Sequence, residues 1–348
     1  MTKKLLFITP IFPKNIHEDN VVPFISQFTK SFANEKNIEI DVISMMYPFS
    51  KKNYQLDKVN IHSIGGKFNS KLKQIPTILK TILKATSLHR KNNYDGIICF
   101  WYREASLVGF IISKIFKIKL LVWLQGQDAK KNNKYVKILK LKEDDLVMIS
   151  EKQKVLFNKN FNYNVRKISN VFINPDVFPK LNLDNREIDI VGIGNLGALK
   201  NYSFFIDIIS HLNIKKLNVV IIGDGEEKQL LLDKVKKLGL SDNIIFTGFL
   251  THKKTLKYLN NSKIFLHTSK YEGNSTVIQE ALYSGCKVVS TIDIENTKSI
   301  ENFYYSENKN DIGTKLKNLL NQLIAPKRIQ VFRMEDNINV IYNHFYND

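Results

Sequence analysis

Two carboxylates open the question of what this chain does. The segment 271–290, YEGNSTVIQEALYSGCKVVS, places Glu272 and Glu280 eight residues apart in a chain whose formal net charge is +19. Gly273 and a run of small polar residues follow the first acid. The apolar run before them, KIFLHTS, reads as a strand ending at Ser269, and KVVST reads as the next strand. Between them the spacing predicts a loop over 270–275 and a helix from about Thr276, with Thr276 and Gln279 placed as a capping box and Gly285 as the stop. Glu272 then stands on a loop beyond a strand's carboxyl end, and Glu280 lies in the helix just behind it. The free N–H groups of residues 274–277 form a helix N-terminus, which suits an anion. The chemistry open to such a set is the holding of a diphosphate and of hydroxyl-rich groups. A loop charge and a solvated helix residue are the alternative that spacing alone leaves open.

Other chemistries find less support. No two aspartates stand two apart, so a metal held by an Asp-x-Asp pair is not expected, and the seven histidines make no ligand pattern with either cysteine. Cys99 and Cys286 occupy unrelated settings, which points to a reduced, cytoplasmic protein without a disulfide frame. GDGEEK carries a Gly-x-Gly pair, but no third glycine or ribose-binding acid follows at dinucleotide spacing, so no NAD site and no other cofactor is expected; a tight strand–helix turn is its alternative reading. No apolar run reaches eighteen residues, so no transmembrane helix is read, and MTKKLLFITPIF is a first buried strand rather than a signal peptide.

Elements must position these groups, and the chain supplies them in one rhythm. Strands are expected at KLLFIT, EIDVISM, YDGIICF, KLLVWLQ and DLVMIS, then at IDIVGIG, NVVIIG, NIIFTG, KIFLHTS and KVVST. Helical stretches lie between them, at 23–34, 70–91 and 105–116, and at about 201–213, 226–238, 252–260 and 276–284. Strand–helix alternation means parallel sheets covered by helices on both faces. We expect an α/β protein of two doubly wound, Rossmann-like domains, 1–175 and 183–328, joined through the proline-bearing VFINPDVFPKLNLDNRE and followed by a last helix, 329–348.

Charge is unevenly shared. Residues 1–175 hold 30 Lys/Arg against 13 Asp/Glu, an excess of 17, whereas residues 176–348 hold 22 against 20. Such a basic half could meet nucleic acid, anionic lipid or a phosphorylated ligand, or be a solubilising lysine coat. No RNP-like aromatic cluster, zinc finger or arginine-rich stretch accompanies it, so no nucleic-acid partner is expected. The lysines of the 70–91 helix (Lys71, Lys73, Lys80, Lys84, with Arg90 and Lys91) accompany Ile75, Ile78, Leu79, Ile82 and Leu83. Together with Lys130, Lys131, Lys134 and Lys137 they could dock on an anionic membrane surface. A helix facing the core with a lysine-rich outer side is the equal alternative.

EGNSTVIQEALYSGCKVV resembles the E-x7-E signature of glycosyltransferase family 4, the retaining nucleotide-sugar transferases of the GT-B fold. VGIGNLGALKN resembles the family's G-R-L-x-x-x-K-G segment, and VVIIGDGEEKQLLLDKVKKLGLSDNIIFTGFL resembles its G-D-G and F-x-G strands, in the family's order. The likeness covers most of 189–295; in the first half it is limited to LLVWLQGQD and DLVMISEKQ. It implies two domains facing a cleft, with the C-terminal helix crossing back to the N-terminal domain. It also implies transfer of a hexosyl-type sugar from a nucleotide-sugar donor, a UDP- or GDP-sugar, to a glycan or lipid-linked acceptor in bacterial surface polysaccharide synthesis, without a metal.

The resemblance implies roles as well. Glu280 would accept from ribose hydroxyls, and Glu272 would fix the donor sugar's hydroxyls. Amides of Gly273, Asn274, Ser275 and Thr276 would meet sugar and diphosphate, and Lys200 would neutralise the leaving diphosphate. Amides near Gly225 and the Phe249–Leu250 segment would hold the base. Asn195 stands where the family usually has arginine, and Gln125 where many relatives have histidine, while Gly126 and Asp128 fit. Gln125, Asp128 and Arg103 belong to the acceptor side in this reading. A GT-B epimerase of nucleotide sugars would share the fold without these ordered segments, and a basic nucleic-acid-binding protein remains the alternative of another class.

Overall fold

The computed structural model describes residues 2–18, 21–67, 71–294, 299–322 and 325–347, the side chains of 71–73 excepted. It divides into two compact units, residues 1–171 with 333–348, and residues 172–332. The first runs β1 (Lys4–Ile11), α1 (Pro23–Glu35), β2 (Glu39–Tyr47), β3 (Asn53–Leu56), β4 (Val59–Ser63), α2 (Lys71–Asn92), β5 (Gly96–Phe100), α3 (Glu104–Phe116), β6 (Lys119–Trp123), α4 (Lys134–Leu139), β7 (Leu146–Val147) and α5 (Glu151–Phe161). The second holds β8 (Ile188–Ile193), α6 (Tyr202–Leu212), β9 (Val219–Ile222), α7 (Lys228–Lys237), β10 (Ile244–Gly248), α8 (His252–Asn260), β11 (Ser262–His267), α9 (Thr276–Tyr283), β12 (Lys287–Ser290), β13 (Phe303–Tyr305) and α10 (Lys309–Leu320). The chain's last helix, α11 (Met334–Tyr346), belongs to the first unit.

Strands that are apolar along their whole length end up covered on both faces, as parallel sheets require. The first sheet has the order β3-β4-β2-β1-β5-β6-β7 and the second β10-β9-β8-β11-β12-β13. In the first unit, β1 is sandwiched by an aromatic layer on one side, where Phe28 of α1 meets Trp123 edge-on at 4.8 Å and stacks on Phe32 at 5.2 Å. Leu6, Ile8, Cys99, Val108 and Ile112 fill the other side. In the second unit, α6, α7 and α10 pack on one face through Phe205, Leu231 and Leu316, and α8 and α9 on the other through Leu256, Ile278 and Leu282.

One feature departs from the parallel sheets expected. β3 and β4 form an antiparallel hairpin at the edge of the first sheet, with Leu56 paired to Val59. Asp57 makes the turn in the left-handed region at φ 53°, a conformation an aspartate tolerates. The alternation of buried Val59, Ile61 and Ser63 with exposed Asn60 is a strand signal five residues long, easily lost among polar neighbours.

α2 has a buried face and a partly apolar outer face. It buries Thr77, Thr81, Ala85 and Leu88, yet leaves Ile75, Leu79 and Leu83 about half or more exposed, at 48%, 55% and 70%. Spaced by four, these three share one side of the helix. Exposed Lys80 and half-buried Lys84 are the neighbouring cations; the side chains of Lys71 and Lys73 lie outside the described residues. Among the described residues no helix is long and apolar enough to cross a membrane.

α11 is anchored by Ile338, Ile341 and Phe345, all buried, and by polar bonds to the amino-end edge of the first sheet. His344 Nε2 donates to the Leu120 carbonyl at 3.0 Å, and Nδ1 accepts from Lys167 Nζ at 3.1 Å, which fixes the neutral tautomer. Burial and the nearby Lys167 charge push its pKa down to about 4. The folded state therefore binds fewer protons than the unfolded one between pH 6.5 and 4, and stability is lost as the pH falls through that window. We expect His344→Gln to remove roughly 3 kcal/mol of that acid-linked loss. Denaturant unfolding of both proteins at pH 7.5 and 4.5 checks this; equal losses in the two would contradict it.

Candidate active site

Three loops of the second unit gather beyond the carboxyl ends of β8, β9 and β11, where ligands bind in open α/β sheets. Backbone bonds knit them. Leu196 N donates to the Asp224 carbonyl and Glu227 N to the Leu196 carbonyl, both at 2.9 Å, and Lys270 N donates to the Leu199 carbonyl at 2.9 Å. The approach is so close that only glycine fits at two places. A Cβ on Gly223 would lie 1.9 Å from the Gly194 oxygen, and one on Gly225 2.5 Å from the Leu196 oxygen. The Gly-x-Gly pair thus serves loop–loop packing rather than a dinucleotide turn.

This knitting brings Lys200 and Glu272 together. Lys200 Nζ donates to Glu272 Oε1, and the Lys200 carbonyl accepts from Thr268 Oγ1 at 3.1 Å. Ser269 Oγ donates to the same Glu272 oxygen at 3.0 Å, and His267 Nε2 lies 3.5 Å from it. His267 is itself held between Ser290 Oγ and Ser269 Oγ, each 3.1 Å from a ring nitrogen. Burial opposes charge on Glu272, but the hydrogen bond from His267 and the Lys200 cation outweigh it and hold the carboxyl down at about 2. Burial likewise pushes His267 below the ordinary imidazole range, so this buried ring is neutral beside an ionised glutamate.

α9 begins at Thr276 as expected, but the capping box does not form. Ser275 is the N-cap residue, at φ −88° and ψ 110°, and its own side chain makes no cap hydrogen bond. Thr276 is already helical, one position too late to cap, and the Gln279 amide turns to Asn274 Oδ1 at 3.3 Å. One turn on, Glu280 is buried, and its Oε1 lies 2.8 Å from Nε2 of His252, the first residue of α8. No described hydrogen bond reaches Oε2.

Gly273, Asn274 and Thr276 are half-buried beside this pair, and Ser275 is buried. Asn195 is exposed on the loop after β8, Gly225 is half-buried after β9, and Phe249 is 67% exposed beside half-buried Leu250 after β10. In the first unit, Arg103, Gln125 and Asp128 gather at the carboxyl ends of β5 and β6. Gln125 N donates to buried Asp128 Oδ2 at 2.7 Å. Burial lifts Asp128 to about 6 against the pull of that bond and of Arg103. Arg103 is exposed, with Nε 3.7 Å from Glu104. Among the described residues no three His, Cys, Asp or Glu side chains converge as a metal site.

Sequence reasoning missed His252, His267 and Ser269. His267 and Ser269 had a signal, being polar residues at the ligand end of an otherwise apolar strand. His252 had none, since its link to Glu280 spans 28 residues and two helices.

Residues 174–325 match the family described as Glycosyl transferases group 1. That span nearly coincides with the second unit. The amylovoran biosynthesis glycosyltransferase AmsD of Erwinia amylovora is 28% identical over 54% of this chain and 56% of its own length. The N-acetylgalactosamine-N,N'-diacetylbacillosaminyl-diphospho-undecaprenol 4-alpha-N-acetylgalactosaminyltransferase of Campylobacter jejuni is 33% identical over 29% of this chain and 27% of its own. The chain thus matches little more than half, or less, of these curated relatives. The structure of HepE from Anabaena in complex with UDP and glucose aligns over 99% of this chain and 96% of its own at TM-score 0.67 and 15% identity. The fold is GT-B.

The ion pair makes a direct prediction. In Lys200→Met the burial of Glu272 persists while its cation is gone, so its carboxyl should rise from about 2 into or above the ordinary glutamate range. Carbon-detected NMR titration of labelled glutamates measures this, and an unmoved Glu272 would contradict the pairing.

Proposed function

We propose that this chain is a group 1 glycosyl transferase, which moves a hexosyl-type sugar from a nucleotide-sugar donor, with retention of anomeric configuration, to a glycan or lipid-linked acceptor. The carrying observation is the convergence of Lys200 and Glu272 on the loop that leads into the N-terminus of α9. Breaking the anomeric C–O bond leaves negative charge on a nucleoside diphosphate. Lys200 and the N–H groups of Gly273, Asn274, Ser275 and Thr276 supply the positive side, with Asn195 as a further donor. Glu272, ionised, can only accept hydrogen bonds, which suits sugar hydroxyls rather than phosphate oxygens. Glu280 has one oxygen on His252 and the other available to ribose hydroxyls. Gly225, after β9, and the Phe249–Leu250 segment, after β10, are the candidates for holding the base. Front-side attack by the acceptor needs no protein nucleophile, and with cations already supplied the reaction needs no metal.

UDP is the favoured nucleotide, since HepE, of like fold, is known in complex with UDP and glucose; GDP is the alternative. A lipid-linked acceptor is supported by the Campylobacter relative's undecaprenol substrate and by the charge of the first unit. There Gln125, Asp128 and Arg103 are the acceptor-side candidates. The exposed stripe Ile75, Leu79 and Leu83, with Lys80 and Lys84, suits reversible docking on the inner, anionic face of a bacterial membrane. Each lysine near such a leaflet contributes about 1 kcal/mol.

Glu280→Ala should weaken UDP-sugar binding by roughly 1.5–3 kcal/mol, the worth of charge-assisted bonds to the ribose. Calorimetry reads it, and unchanged affinity would sink the ribose role. Flotation with vesicles containing phosphatidylglycerol should carry the protein at low salt. Recovery should fall at high salt and in Leu79→Ser/Leu83→Ser and Lys80→Glu/Lys84→Glu. Flotation that is absent, or indifferent to all three, leaves the stripe and lysines as a solvated surface.

A further inference from the structure

The opposite, amino end of the second sheet carries a feature the transfer reaction does not use. Three adjacent strands each begin beside a cation. Arg186 precedes β8 by two residues, Lys263 is the second residue of β11, and Lys287 is the first of β12. All three line one cavity of ≈ 480 Å3, within the range of small-molecule sites. Its apolar lining includes Leu183, Leu319 and Leu320.

Lys263 is matched by Asp189 at 2.8 Å, but the other two have no such partner. Arg186 and Lys287 are buried, at 4% and 7% exposure. Arg186 gives four hydrogen bonds, to the carbonyls of Asn182 (twice), Ser262 and Ser284, all of them to neutral acceptors. Beside it stands the thiol of Cys286, which burial pushes up to about 12 and keeps neutral. Among the described residues Lys287 Nζ reaches only the Leu319 and Gln322 carbonyls, at 3.4 Å each. Among the described residues no carboxylate reaches either cation, and the single acid in the lining, Asp184, is exposed. Two of these carbonyls, of Ser284 and Leu319, lie at the C-terminal ends of α9 and α10, whose partial negative charge offsets a fraction of two full ones. Mutual repulsion adds to burial in lowering the Lys287 pKa. Buried cations left without a counter-charge are costly, and an oxyanion is what would neutralise them.

We propose that this cavity is a second ligand site, which takes a small organic anion. Its phosphate or carboxylate meets Arg186 and Lys287, and its carbon skeleton lies on Leu183, Leu319 and Leu320. The test is calorimetry of the intact protein with hexyl phosphate, hexanoate and the neutral control hexanol. One of the two anions should bind at one site per chain, and hexanol should not. Lys287→Met, isosteric and neutral, should weaken the anion at least about tenfold. Leu183→Asp, at an exposed position where folding is not at stake, should weaken it too by charge repulsion. Lys200→Met, at the other end of the sheet, should leave it unchanged. No binding of either anion at millimolar concentration would overturn the proposal. So would equal affinity in both cavity variants, equal binding of hexanol, or a loss in Lys200→Met.

Discussion

The contact on which the rest of the donor-side architecture depends is the half-buried ion pair of Lys200 and Glu272. Two opposite charges withdrawn from water are tolerated only when each finds its partner and its remaining bonds are satisfied. Ser269 and His267 complete the shell around the carboxylate, and Ser290 fixes His267 from behind. The pair holds a cation and an anion ready at one place. That is what a reaction with a departing diphosphate and a hydroxyl-rich sugar requires, because fixed charges cost little reorganisation as the bond breaks.

Such a pair can be held only by loops that do not move independently. The parallel sheet aims β8, β9 and β11 to one edge, and the backbone bonds among Leu196, Asp224, Glu227, Leu199 and Lys270 turn three loops into one platform. The glycines at 223 and 225 are the condition for that, since any side chain there would occupy a neighbour's carbonyl. α8 and α9 pack as neighbours on the opposite face of the sheet from α6, and this packing lets His252 orient Glu280. Helix packing and site geometry are one problem here.

Much of this was legible in the sequence, and for different reasons. The strands were readable because a two-sided parallel sheet demands continuous apolar runs, as in Val219–Ile222 and Gly96–Phe100. The placement of Glu272 on a loop and of Glu280 in the helix behind it was readable from local spacing, whereas Lys200 was singled out only by the resemblance of VGIGNLGALKN to the family's segment. The hairpin of β3 and β4 was not, because a short edge strand shows only weak alternation. His252 was not, because its meaning arises only when α8 and α9 meet. The capping box failed on a single residue of register, since the non-helical conformation fell on Ser275 rather than Thr276. The three cations at the amino end of the second sheet are far apart in sequence, and only the strand order makes them a group.

The central claim is that fixed charges at the carboxyl ends of β8 and β11 drive departure of a nucleoside diphosphate with retention. It is tested most directly by donor hydrolysis without acceptor, followed by proton NMR over UDP-, GDP-, ADP- and dTDP-sugars in the presence of EDTA. The account predicts slow turnover of at least one donor, release of the sugar first in the donor's own anomeric configuration, and a fall in kcat rather than a rise in KM in Lys200→Ala. Turnover that needs a divalent metal, release of the inverted anomer, or no turnover of any nucleotide sugar would contradict it.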